Sequence, residues 1–168
     1  MKADELKAVQ TPLKDLYRNT PASALITLKA SGRLGEGVTC KIETGKALVA
    51  AGLHPATGGN GLSACSGDML LEALVACAGV TLNAVATALG IEVRDATLEA
   101  EGDLDFRGTL GVSKEVPVGF QNIRLKMSID TDASDEQIAT LVRLTERYCV
   151  VYQTLTRPPE ISVSVSQI

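Results

Sequence analysis

SGDMLLEALVACAGVTLNAVATAL, running from Ser66 to Leu89, decides the fold. Its length is that of about six and a half helical turns, and Gly90 follows where a left-handed terminator sits. At 100° per residue, Leu70, Leu74, Cys77, Thr81, Ala84, Val85 and Ala88 fall on one broad face. Asp68, Glu72, Gly79, Asn83 and Thr87 form a narrow polar stripe. The spacing predicts a central helix with Cys77 turned to the interior, and its alanines and glycine let a neighbour approach the thiol closely enough to wall a pocket. A buried free cysteine is ordinarily a small packing residue, so the helix alone leaves Cys77 between packing and chemistry. Asp68, Glu72, Asn83 and several threonines weigh against a membrane span.

The rest of the composition is that of one globular domain over residues 1–168, with 45% hydrophobic and 21% charged residues. With no Trp, two Phe and three Tyr, the core must be aliphatic and stacking platforms for single-stranded nucleic acid are not expected. A net charge of −4 without a dense Lys/Arg block lacks the footprint of a phosphate-backbone binder. The N-terminus, MKADELKAVQ, has no apolar signal core, so a cytoplasmic location with reduced thiols is expected.

Outward from the central helix, residues Asp4 to Arg18 place Leu6, Val9, Leu13 and Leu16 at helical spacing, with Pro12 at a first-turn position or a break. A docked N-terminal helical extension, residues 1–20, follows from this. A strand is expected over Ser23 to Ala30, a turn over Ser31 to Gly35, and strands over Gly37 to Glu43 and Lys46 to Ala51. The segment from Leu53 to Gly67, rich in Gly, Ser and Pro, reads as the loop into the central helix. Beyond Gly90, strands are expected over Ile91 to Glu101 and Val118 to Ile129, separated by a loop from Asp105 to Pro117. Ser134 and Gln137 form a capping box for a second long helix presenting Ile138, Leu141, Val142, Thr145 and Tyr148 inward. Val150 to Leu155 is ambiguous between strand and helix, and Glu160 to Gln167 alternates as a closing strand. Strands, long helix, strands, helix, strand describe an α+β fold with mostly antiparallel sheets.

The four cysteines (Cys40, Cys65, Cys77 and Cys149) form no CxxC or CxxxC pair, so neither a metal nor an iron–sulfur cluster has a local nucleus. A non-local site of Cys65, Cys77, Cys149 and His54 stays open, but no cofactor or metal is expected. His54 is the sole histidine and there is no G-x-S-x-G elbow for a serine nucleophile. Cys40 alternates with exposed positions as a packing residue, and Cys65 precedes the central helix, where the dipole favours a thiolate. What remains is thiol chemistry at Cys77 and Cys149, which requires a cation or helix N-terminus near the sulfur. Arg33, Arg107, Arg147 and Arg157 are candidates between which spacing does not choose.

Three segments carry a family resemblance. MLLEALVACAGVTL (Met69 to Leu82) resembles the central-helix motif of the OsmC/Ohr family of osmotically induced and organic hydroperoxide resistance proteins. CVVYQTL (Cys149 to Leu155) is similar to its second cysteine motif, and Gly32-Arg33 to the Gly-Arg that carries its active-site arginine. The resemblance covers Ala24 to Ile168 and implies an intertwined homodimer with two long central helices and active sites at the subunit interface. It further implies that Cys77 is the peroxidatic thiolate, that Cys149 resolves it as a disulfide, and that Arg33 holds the thiolate and polarises an organic hydroperoxide. A dithiol reductant, such as a lipoylated protein, would restore the thiols. The chain departs from the pattern in four places: Gly67 stands at the usual Glu position with Asp68 as a shifted substitute, Val150 replaces Pro, Cys65 is additional, and the first twenty residues lie outside it. Asp68, Cys65, Arg107 and Arg147 are therefore accessory candidates. A thiol peroxidase is the leading expectation, and a non-catalytic apolar-ligand-binding or redox-sensing protein on the same scaffold is the alternative. No nucleic acid or membrane partner is expected. A long helix apolar over most of its circumference also needs more cover than one sheet provides, which favours a dimer.

Overall fold

The computed structural model of the chain describes residues 3–34, 40–42, 51–62 and 64–167, with the backbone alone described for 3–7, 27–34 and 40–42. The helix α1 spans Ala3–Asn19, and a 3-10 turn at Pro21–Ala24 leads into the strand β1, Leu25–Leu34. Next come β2 (Cys40–Ile42), α2 (Ser66–Leu89), β3 (Asp95–Asp105) and a single helical turn, α3 (Phe106–Thr109). The strand β4 (Asn122–Asp130) and the helices α4 (Asp135–Tyr148) and α5 (Val150–Thr156) complete the order. The strands form one antiparallel sheet in the order β2-β1-β3-β4. The helix α2 packs against β1 and β3 and also against α4 and α5. Helix and antiparallel sheet thus give the expected α+β architecture.

The central helix has the expected limits and ends at Gly90, whose φ of 66° lies in the left-handed region and whose N–H closes onto the carbonyls of Ala86 and Thr87. Its buried face is not the expected one. Leu71, Leu74, Val75, Ala78, Gly79, Leu82 and Ala86 are buried, while Leu70, Ala84 and Ala88 are exposed. The inward face is turned by about one residue, ~100°, from the predicted one. By length and mean hydropathy this helix could cross a bilayer, but here it carries the core.

Period-two alternation works better on the sheet. Ala96, Leu98 and Ala100 of β3 are buried, and Ile123, Leu125, Met127 and Ile129 of β4 pack on the same core. On the other face Glu101 stands opposite Arg124 and Glu99 opposite Lys126, and Arg124 bridges both Asp103 and Glu101. Such exposed pairs add little stability but fix which face meets water. The expected turn at Ser31–Leu34 is instead the end of β1, because these residues continue the ladder opposite Thr97 to Glu99. The expected strand at Lys46–Ala51 lies outside the described residues except Ala51, which makes an isolated parallel bridge with Ala64.

Three further expectations change at the ends of the chain. α1 runs continuously through Pro12 and docks chiefly through Tyr17, 3% exposed, with Leu13 beside it. Val9 and Leu16 stay substantially exposed because α1 meets only short elements, the 3-10 turns at Pro21–Ala24 and Pro55–Thr57 and the single turn α3, too narrow for a full helical stripe. In α4 the capping box forms, with Ser134 N–H donating to Gln137 Oε1 at 2.9 Å and Gln137 N–H to Ser134 Oγ at 3.3 Å. Leu141 and Thr145 are buried, whereas Tyr148 is exposed because the neighbouring Cys149 takes the inward position. The alternating tail of Glu160 to Gln167 forms no strand: Ile161, Val163 and Val165 are 82–90% exposed, and the tail pairs with none of the described strands.

Candidate active site

Val150–Thr156, the segment whose conformation sequence left ambiguous, positions the site. Cys149 closes α4 by donating its N–H to Thr145 O at 2.9 Å, takes an extended conformation (φ −70°, ψ 108°), and then caps α5. Its Sγ accepts the N–H of Tyr152 at 3.4 Å. One sulfur therefore serves a chain corner between two helices, and the first amides of α5 open beside Cys77 of α2. The two thiols, far apart in sequence, lie close enough that each acts on the other's ionisation.

Their electrostatics diverge. Burial works against ionisation of Cys77, but the N–H of Val151, the Cys149 thiol, the N–H of Val150 and the Thr81 hydroxyl outweigh it and hold Cys77 below its ordinary value. Cys149 is 1% exposed, and burial pushes it up to about 11; the Tyr152 N–H pulls it down, and its contact with Cys77 adds to the rise. The two thiols are thus driven in opposite directions, Cys77 toward easier ionisation and Cys149 away from it.

A largely apolar groove of about 260 Å³ lies between the sheet and α5, and neither cysteine is among its lining residues. Leu74, one turn before Cys77 on α2, forms one wall, with Phe120, Ile123 and Leu125 from the sheet side and Tyr152 and Leu155 from α5. Phe120 lies over Gly102 of β3, where a Cβ would stand 2.4 Å from its ring. The groove depends on that missing side chain.

The other sequence candidates are dispersed. Cys65 caps α2 without a side-chain cap bond, twelve residues before Cys77 along one straight helix, or about 18 Å. That separation exceeds disulfide reach within one chain. Asp68, about 14 Å along the same axis, is pushed up by burial and drawn down by His54. His54 stacks on Phe106 with ring centroids 5.0 Å apart, and its Nδ1 accepts the N–H of Ala56, so it braces the loop before α2. Arg107 is forked onto Asp105, which it holds below the usual carboxylate range, and Arg147 lies over the Tyr148 ring at 5.5 Å. Neither they nor Arg157 are among the groups acting on Cys77. Arg33 sits in β1 opposite Lys41 and Thr97, and its side chain, like that of Cys40, lies outside the described residues. Among the described residues no group of three His, Cys, Asp or Glu could hold a metal ion. Sequence reasoning missed the amides of Val150 and Val151 and the hydroxyl of Thr81. The spacing of Thr81, i+4 from Cys77, was the available signal.

This geometry, with a long core helix carrying one thiol and a two-helix corner carrying the other against an antiparallel sheet, defines an α+β protein with a paired-cysteine site. Residues 58–164 match the family model for OsmC-like protein, and the chain belongs to that family. Its fold is similar to that of an OsmC-like hydroperoxide resistance protein from Jannaschia sp. CCS1, with a TM-score of 0.62 at 15% identity over 86% of this chain and 95% of that one. It is also similar to an OsmC-like protein from Mycoplasma pneumoniae, with a TM-score of 0.56 at 17% identity over 80% of this chain and 86% of that one. No curated protein matches the chain by sequence.

Proposed function

We propose that this protein is a cysteine-based thiol peroxidase acting on organic hydroperoxides. The observation that carries the reading is the proximity of two thiols that act on each other's ionisation, with Cys77 drawn toward its thiolate and the buried Cys149 held toward its neutral form. The hydroperoxide resistance protein of similar fold lends it a peroxide theme. In the first step the Cys77 thiolate attacks the distal oxygen of ROOH, the O–O bond breaks, and the alkoxide takes a proton to leave as alcohol while Cys77 becomes a sulfenic acid. Cys149 then attacks that sulfur and releases water, forming the Cys77–Cys149 disulfide. A dithiol reduces it by exchange, and both thiols return. The apolar groove beside Leu74 would take the organic substituent. Arg33 is proposed as the cation that steadies the thiolate and polarises the peroxide, and Arg33→Ala should then slow alkylation of Cys77 at neutral pH.

The active form is proposed to be a homodimer in the cytoplasm. The exposed alternation of Ile161, Val163 and Val165, a strand pattern paired with none of the described strands, supports exchange of this tail with a second copy.

Thiol counting tests the chemistry. One equivalent of cumene hydroperoxide should consume both Cys77 and Cys149 in the wild type. Cys149→Ser should stop at a sulfenic acid that over-oxidises with excess oxidant, and Cys77→Ser should abolish turnover. Unchanged free thiols after peroxide would leave the groove as a binding site without turnover.

A further inference from the structure

The arginines whose side chains are among the described residues fall into two groups. Arg94 is paired with Asp130 and Asp132, Arg107 with Asp105, Arg124 with Asp103 and Glu101, and Arg18 with Asp15. Arg143, Arg147 and Arg157 instead line one wide-mouthed polar groove of about 580 Å³ between α4 and α5, and among the described residues none of the three has a carboxylate ion pair. Glu146 is the one acidic residue in the lining, and it faces the Tyr152 hydroxyl, whose ionisation is opposed first by burial and then by that carboxylate. Three unneutralised guanidiniums in a chain of net charge −4 make a local field opposite in sign to the whole.

The location gives the field a use. Gln153, in the groove lining, donates its N–H to Cys149 O at 2.9 Å, so the groove begins one turn from the buried thiol. Arg143 and Arg147 stand one turn apart on α4, about 6 Å, with Arg157 at the end of the other helix. That spread over two elements suits several carboxylates on a surface better than one small anion.

We infer that the groove between α4 and α5 is the docking surface for an acidic face of the protein whose dithiol reduces the Cys77–Cys149 disulfide. The inference rests on the cycle proposed above. One thiolate of the docked dithiol attacks a sulfur of the disulfide to form a mixed disulfide. The second then displaces the remaining bond, leaving Cys77 and Cys149 as thiols and the partner oxidised by two electrons.

The probe is a fluorescent synthetic peptide with a Cys-x-x-Cys dithiol flanked by glutamates, set against its glutamine counterpart. Binding to the reduced wild type, read by anisotropy, is expected to favour the acidic peptide by roughly tenfold and to lose that preference as salt rises. Recycling of peroxide-oxidised protein should show the same preference. Arg143→Glu combined with Arg157→Glu should remove the preference in both assays while leaving recycling by dithiothreitol at the wild-type rate, which also shows that the variant is folded. Equal binding of the two peptides overturns the inference, as does a preference that survives in the variant. Competition by millimolar pyrophosphate at matched ionic strength would make the groove a small-anion site instead, and flotation with phosphatidylglycerol vesicles in place of peptide binding would make it a membrane contact. Because binding is read on reduced protein, a failure of hydroperoxide to form the disulfide is seen separately and counts against the cycle, not the groove.

Discussion

The N–H of Val150 is among the groups that lower Cys77, and it is free to act because Val150 is the first residue of a helix and its amide has no carbonyl to bond within it. Proline fits that position without disturbing the helix, and the extended conformation of Cys149 is the one that precedes proline comfortably. Val150→Pro should therefore remove that amide's influence on the thiolate and little else. Iodoacetamide alkylation of Cys77 at neutral pH should slow, with the midpoint of its pH profile moving up. Cys149 makes the opposite contribution on the alkaline side. Its folded pKa is raised to about 11, so the stability it confers is complete below the unfolded value, roughly 8.5, and is lost as pH rises toward 11. Denaturant melts should show this alkaline decline in the wild type and a shallower one in Cys149→Ala.

Among the elements, β3 carries the most legible demand on a single position. Gly102→Ala would push a Cβ into the Phe120 ring, and because that ring also walls the apolar groove the cost should appear twice. Urea unfolding should show a loss of about 1–3 kcal/mol, and turnover of bulky hydroperoxides should fall more than that of small ones. The limits of α2 were readable because a long alanine-rich run and a glycine terminator are local signals. Its rotation was not, since alanine and glycine suit either side of a helix, and the sheet decided which side was covered. The capping box was likewise local and formed as written, and the alternation of the two strands held, although β3 begins at Asp95 and not Ile91 and runs on to Asp105, and β4 begins at Asn122 and not Val118. The tail failed for the complementary reason: Glu160 to Gln167 has a strand's pattern, but a strand also needs an edge to pair with, and that belongs to other residues. At the site, the pairing of Cys77 with Cys149 came from resemblance, not from spacing, while the helical state of Val150–Thr156 that brings amides to the sulfur was invisible in an ambiguous sequence.

For the whole molecule, the exposed tail sets the expectation for assembly. Removal of residues 160–168 should convert a wild-type dimer into a monomer or an aggregating species in sedimentation velocity, and a monodisperse wild-type monomer at micromolar concentration would exclude tail exchange. The position of the two thiols also has a thermal meaning. Cys77 lies in the middle of the core helix and Cys149 at the far corner of α4, so a bond between them would close a loop of about 70 residues around β3, α3, β4 and α4. Chain-entropy arguments assign such a closure about 4 kcal/mol of stabilisation, acting on the unfolded chain. Oxidised protein should then melt several degrees above reduced protein at equal concentration, and a mixed sample should melt in two steps. A calorimetric scan would thus date a preparation's last encounter with oxidant, the fold keeping in its melting temperature a record of chemistry already finished.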